Sequence, residues 1–110
     1  KTHFSEFLSH FPGSPAIGDT AFYGCSKLSS VYIPDGVTEI GDYAFGNCAA
    51  LSNVHLPESI TKCGLYPFSG DVNVPVEQQR NINVYVKEGS WMDKNYDMVF
   101  QGTRCTKVTY

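Results

Sequence analysis

The sequence has no run of Lys or Arg anywhere in its 110 residues, and its eight basic residues are outnumbered by eleven acidic ones for a formal charge of −3. A nucleic-acid partner needs a clustered basic footprint, so neither DNA nor RNA is expected to bind. Apolar stretches are only a few residues long, against the ~20 consecutive apolar residues that cross a bilayer, so no membrane insertion by this chain is expected. The opening KTHFSEFLSHFPG also lacks the basic start and continuous apolar run of a signal peptide.

Catalytic and metal signatures are equally scarce. There is no G-x-S-x-G elbow, no H-E-x-x-H helix and no Gly-rich phosphate loop. The cysteines, Cys25, Cys48, Cys63 and Cys105, form no C-x-x-C pair, and His3, His10 and His55 stand at no metal-ligand spacing from them. No metal, other cofactor or catalytic residue is therefore assigned. An even cysteine count permits two disulfides, whereas the register below favours buried free thiols at Cys25 and Cys48; for Cys63 and Cys105 both states stay open. Asp93 and Asp97, four apart on a predicted closing helix, fit a solvated face better than a carboxylate pair for acid–base work.

What the sequence does contain is repetition. Residues 17–39, IGDTAFYGCSKLSSVYIPDGVTE, align with residues 40–62, IGDYAFGNCAALSNVHLPESITK, at a period of 23 with eleven identities. A third copy starts at Cys63 as CGLYPFSGD, keeps Gly64 and Phe68, and then runs long: Val84 and Val86 match Val54 and Leu56 at a spacing of 30, which leaves an insertion at 69–81. A period between 20 and 29 with L-x-x-V-x-[IL] is the leucine-rich repeat signature, in which each unit is one turn of a right-handed coil and buries its apolar face only against neighbours.

The residue pattern within a unit predicts the rest. In LSSVYIP and LSNVHLP, Val31 and Ile33, or Val54 and Leu56, alternate inward, and Pro34 and Pro57 end the strand. Val37 and Ile40 are expected to point inward on the opposite wall, with Gly18, Gly41 and Gly64 at a bend that excludes a Cβ. Asp19 and Asp42 are expected to cap short helical turns, TAFYG and YAFGN, whose Phe22, Phe45 and Phe68 stack inside. The expected fold is an α/β solenoid in one domain of residues 1–110: an N-terminal helical cap over 1–16 with Phe4, Phe7, Leu8 and Phe11 on one face, three repeats over 17–86, and a helix and strand cap over 87–110. In that cap Ser90 starts the helix, Trp91, Tyr96, Val99 and Phe100 cover the core, Gly102 stops the helix, and CTKVTY is a last strand, so the array is expected to end here.

The phrase I-G-x-x-A-F-x-x-C-x-x-L-x-x-V-x-[IL]-P resembles the leucine-rich repeats of BspA-type surface proteins, matched at Ile17, Gly18, Ala21, Phe22, Cys25, Leu28, Val31, Ile33 and Pro34 and again 23 residues later. The closing NVYVKEGSWMD is similar to that family's usual ending, with Lys87 where proline normally stands. The resemblance implies a secreted or surface-displayed module that binds macromolecules, commonly host matrix proteins, host cells or other microbes.

From the residues themselves, outward positions of successive strands should lie ~4.8 Å apart. Tyr32, His55 and Tyr85 then form one row and Ser30, Asn53 and Asn83 a second, an aromatic ridge beside small polar groups that suits a protein or glycan ligand. The competing reading is a structural spacer in which these residues only stabilise the ladder. The sequence leaves the oligomeric state open.

Overall fold

The computed structural model describes residues 16–110, so the expected N-terminal helix lies outside the described residues. The strands form two parallel sheets. β1 (Ala16–Ile17), β3 (Glu39–Ile40) and β5 (Lys62–Cys63) make one, in the order β1-β3-β5. β2 (Ser30–Tyr32), β4 (Asn53–His55), β6 (Ile82–Val86) and β7 (Cys105–Thr109) make the other, in the order β2-β4-β6-β7, with helix α1 (Trp91–Val99) carrying the chain from β6 to β7. Neither sheet closes into a barrel.

Register follows the repeat. Ile17 pairs with Ile40 and Ile40 with Cys63 in one sheet. Val31 pairs with Val54 in the other, and Val54 pairs with Val84 across the longer third unit. Like side chains therefore lie in columns, and Val31, Val54, Val84, Ile40, Leu56 and Ile60 are all 1% exposed or less. Each such aliphatic side chain contributes about 1.5–3 kcal/mol by leaving water. Through the middle runs an aromatic spine: Phe22, Phe45 and Phe68 stack at 5.1 Å centroid spacings, Phe100 follows at 6.1 Å, and Tyr96 closes it at 4.5 Å from Phe100.

The expected helical turns around these phenylalanines are not helices. Thr20, Tyr43 and Tyr66 have φ of 56°, 54° and 47°, which breaks a right-handed helix. Alternate backbone donors reach the next unit, Thr20 N to Asp42 O at 2.9 Å, Phe22 N to Ala44 O at 2.7 Å and Phe45 N to Pro67 O at 2.7 Å, while Ala21 N and Tyr23 N bond back within the turn to Gly18 O and Thr20 O. The turns thus add a third hydrogen-bonded wall between units, which settles buried backbone groups better than an isolated single turn would. Asp19 and Asp42 do not cap their own turns either. Asp19 Oδ1 accepts from Asp42 N at 2.7 Å, and Asp42 Oδ1 accepts from Leu65 N at 2.8 Å.

That link explains two of the recurring glycines. A Cβ at Gly41 would sit against the Asp19 carboxylate, 2.5 Å from Asp19 N and 2.7 Å from Gly18 C; at Gly64 it would meet the Asp42 carboxylate and lie 2.6 Å from Asp42 N. Close approach of the preceding unit, rather than an unusual φ, fixes glycine there.

At the far end Ser90 is the N-cap of α1, its Oγ accepting from Asp93 N at 3.2 Å, while Asp93 Oδ2 accepts from Gly89 N at 2.8 Å. The Ser90 hydroxyl satisfies a donor that the helix start leaves free, and the Asp93 carboxylate fixes the residue just before the cap. Met92, Tyr96 and Val99 are the buried face, with Phe100 beside them. Trp91, expected among the cover, is half-buried and packs against the edge of the core, while the cap phase adds Met92 to the inward row with Tyr96 and Val99. Asp93 is likewise not simply solvated, because Lys107 Nζ pairs with its Oδ1 at 2.6 Å.

Candidate binding surface

Parallel register delivers the expected outward rows. Ser30, Asn53 and Asn83 share one row and Tyr32, His55 and Tyr85 the next. The three rings lie flat on one another: Tyr32 and His55 at 4.2 Å and 6°, His55 and Tyr85 at 4.4 Å and 3°. Since the ring faces cover each other, the row presents ring edges, hydroxyls and an imidazole rim to solvent. Tyr32, at the end of the stack, is 54% exposed. Burial lowers the His55 pKa below its ordinary value of 6.5 and so favours the neutral imidazole in the ridge.

The polar row is longer than the sequence indicated. Asn83 Nδ2 donates to Asn53 Oδ1 at 3.4 Å, Asn81 Nδ2 donates to Asn83 Oδ1 at 3.1 Å, and Thr106 Oγ1 donates to Asn81 Oδ1 at 2.7 Å. Thr106 belongs because β7 pairs with β6, Asn83 opposite Thr106 and Tyr85 opposite Val108. The signal was present: both pairs are 23 residues apart, so the period resumes after the insertion.

The insertion builds a second concave feature. Its backbone is tied down by the Gln79 amide, which donates to Asp71 O at 3.0 Å and Val74 O at 2.9 Å, and by Val72 N donating to Asn47 Oδ1 at 3.0 Å. A short 3₁₀ turn, Val76–Gln78, follows. Between this segment and the loop before β7 lies a cleft of about 460 Å³, bordered by Phe68, Ile82, the stacked Tyr43 and Tyr66, and the arginines Arg80 and Arg104.

All four thiols are free. Cys48 is buried and its pKa is raised to about 11, chiefly by desolvation; Cys63 and Cys105 are half-buried and raised to about 12 and about 11 for the same leading reason. Such thiols carry almost no thiolate at neutral pH and are poor nucleophiles. Cys25, expected to be buried, is half-buried at the end of its column. Among the described residues no group of His, Cys, Asp and Glu is arranged to hold a metal ion, and no helix is long and apolar enough to cross a membrane.

A family model described as "BspA type Leucine rich repeat region (6 copies)" matches residues 14–88, well over half of the chain. No curated protein and no solved structure matches this sequence.

Proposed function

This chain belongs to the BspA-type leucine-rich repeat family, and from that premise we propose that it is a non-enzymatic binding module that takes a protein or glycan ligand on the exposed face of the β2-β4-β6-β7 ladder. Members of this family are typical of surface and secreted proteins, and a secreted or cell-surface setting, with its ligand on a host or microbial surface, is the reading adopted for this chain. The units are taken to wind as a short right-handed solenoid in a single domain, with residues 87–110 covering the last unit. Support for the winding comes from the shared 23-residue register of both parallel sheets.

The observation that carries the binding reading is the flat stack of Tyr32, His55 and Tyr85 beside the Asn53–Asn83–Asn81–Thr106 hydrogen-bond chain. Rigid aromatics offer contact area at low entropic cost, and prepaired amides present donors and acceptors in fixed positions. A spacer without its own ligand is the second reading, favoured by the same stacking, because rings that cover one another stabilise the ladder whether or not anything binds.

The test is capture on immobilised matrix proteins and on a glycan array, comparing the native chain with Tyr32→Ala and Asn53→Ala. Tyr32→Ala removes one ring contact worth about 0.5–1.5 kcal/mol, so the variant should stay folded. Binding weakened about tenfold or more in either folded variant supports the ladder face. Capture that both variants retain in full, or silence of the native chain across the panel, leaves the spacer.

A further inference from the structure

The cleft beside the insertion is separate from the ladder and has a different chemistry. Its accessible apolar surface is Val72, Val76 and Tyr66, all exposed, over a floor closed by the buried Phe68 and Ile82. Among the described residues no Asp or Glu lines it, although the chain as a whole is acidic at −3. Both of its charged lining residues, Arg80 and Arg104, are cationic, and among the described residues neither is in an ion pair. Arg104 is positioned by one bond, Nη1 to Glu77 O at 2.9 Å, which leaves its other N–H groups available. Uncompensated guanidinium groups at the rim of an apolar floor are arranged for a ligand that brings a carboxylate and an apolar group close together.

We propose that this cleft binds the C-terminal residue of a partner polypeptide, with its apolar side chain against the exposed Val72, Val76 and Tyr66 and its terminal carboxylate met by Arg80 and Arg104. A chain terminus places carboxylate and side chain on the same carbon, which fits a floor bordered directly by cations. A cavity of about 460 Å³ admits a few residues and no folded element. The site exists because of the seven residues by which the third unit exceeds the 23-residue period; without them there is no wall opposite Tyr66 and Gly102. The rigidity needed for selective capture comes from the Gln79 amide and the Asn47–Val72 bond that tie the segment down.

The experiment is titration of the ¹⁵N-labelled chain with acetyl-Ala-Ala-Phe as the free acid, as the C-terminal amide, and with a disaccharide carrying a uronic acid, followed by backbone amide shifts. The expected result is saturable shifts at Gly70, Val72 and Gly102 with the free acid, and affinity about tenfold or more weaker for the amide. Arg80→Gln, whose guanidinium is in no ion pair with a described residue, should weaken the free acid to a similar extent while the melting temperature holds. Tyr32→Ala should leave this binding unchanged, so failure here and failure of the ladder reading are distinguishable. Equal affinity for acid and amide, full affinity in Arg80→Gln, shifts centred elsewhere, or a response to the uronate disaccharide alone would each overturn the proposal.

Discussion

Asp19 and Asp42 stand at the same position of successive units and are joined by a hydrogen bond, Asp19 Oδ1 accepting from the backbone N–H of Asp42 at 2.7 Å. Asp42 repeats the act on Leu65 at 2.8 Å. The carboxylate can reach the next unit only because Gly41 and Gly64 present no Cβ. Aspartate and glycine therefore act as a pair across units, although each unit contains them as adjacent letters.

Gly41→Ala should destabilise the chain by about 2–4 kcal/mol, at the upper end for a single substitution, because the new methyl meets Asp19. Adding Asp19→Ala should recover little, since Asp19 N and Gly18 C also lie within 2.7 Å of that Cβ. Denaturant unfolding of the single and double variants measures both, and full recovery in the double variant would show that the carboxylate alone is the obstacle.

Tyr96 is 7% exposed, and its hydroxyl has no hydrogen-bond partner among the described residues. A buried unsatisfied hydroxyl costs about 1–3 kcal/mol. Tyr96→Phe keeps the ring against Phe100 and should raise stability by about 1 kcal/mol, read as a higher urea midpoint at unchanged slope. A lower midpoint would mean that the hydroxyl is satisfied in solution.

His55 gives stability a pH dependence of known sign. Burial favours its neutral form, so its folded pKa lies below the ordinary 6.5 and the unfolded chain takes up the proton first. The His55 contribution is then fully present above pH 6.5 and declines as the pH falls through 6.5 toward the folded value. Asp93, held below its ordinary 3.8 chiefly by its hydrogen bond to Lys107, acts in a separate window: its contribution is present above 3.8 and is lost further into acid. Melting temperatures at pH 7.5 and pH 5 should differ for the native chain and differ less for His55→Phe, which retains a stacked ring. Identical pH slopes for the two proteins would remove His55 as the cause.

Cys48, Cys63 and Cys105 should be slow to alkylate in the folded chain, since they are raised to about 11, about 12 and about 11. After unfolding without reductant, intact mass should show four added groups, one for each free cysteine. Two or four missing labels would reveal disulfides.

The columns were legible in the sequence because period and alternation are properties of a line of letters. Val31 over Val54, Phe22 over Phe45 and Tyr32 beside His55 follow from counting. What counting missed is where a backbone group chooses a neighbour in space over a neighbour in sequence. TAFYG reads as a helical turn, yet Thr20, Phe22 and Gly24 donate to Asp42, Ala44 and Gly46 of the next unit, and Thr20 takes a positive φ. The cleft was illegible for a related reason: nothing in YPFSGDVNVPVEQQRN says that Arg80 will border the same cavity as Arg104. The row of Thr106 and Val108, by contrast, was readable from the resumed period.

The aspartate bond has a consequence for how such a chain can change length. Each of these bonds crosses a seam between consecutive units rather than holding one unit to itself. An array gains one seam with every unit spliced in at the 23-residue step, and the new seam is chemically the same as the old ones. Resistance to unfolding should therefore grow with the number of seams, and a lone unit, having none, should not fold.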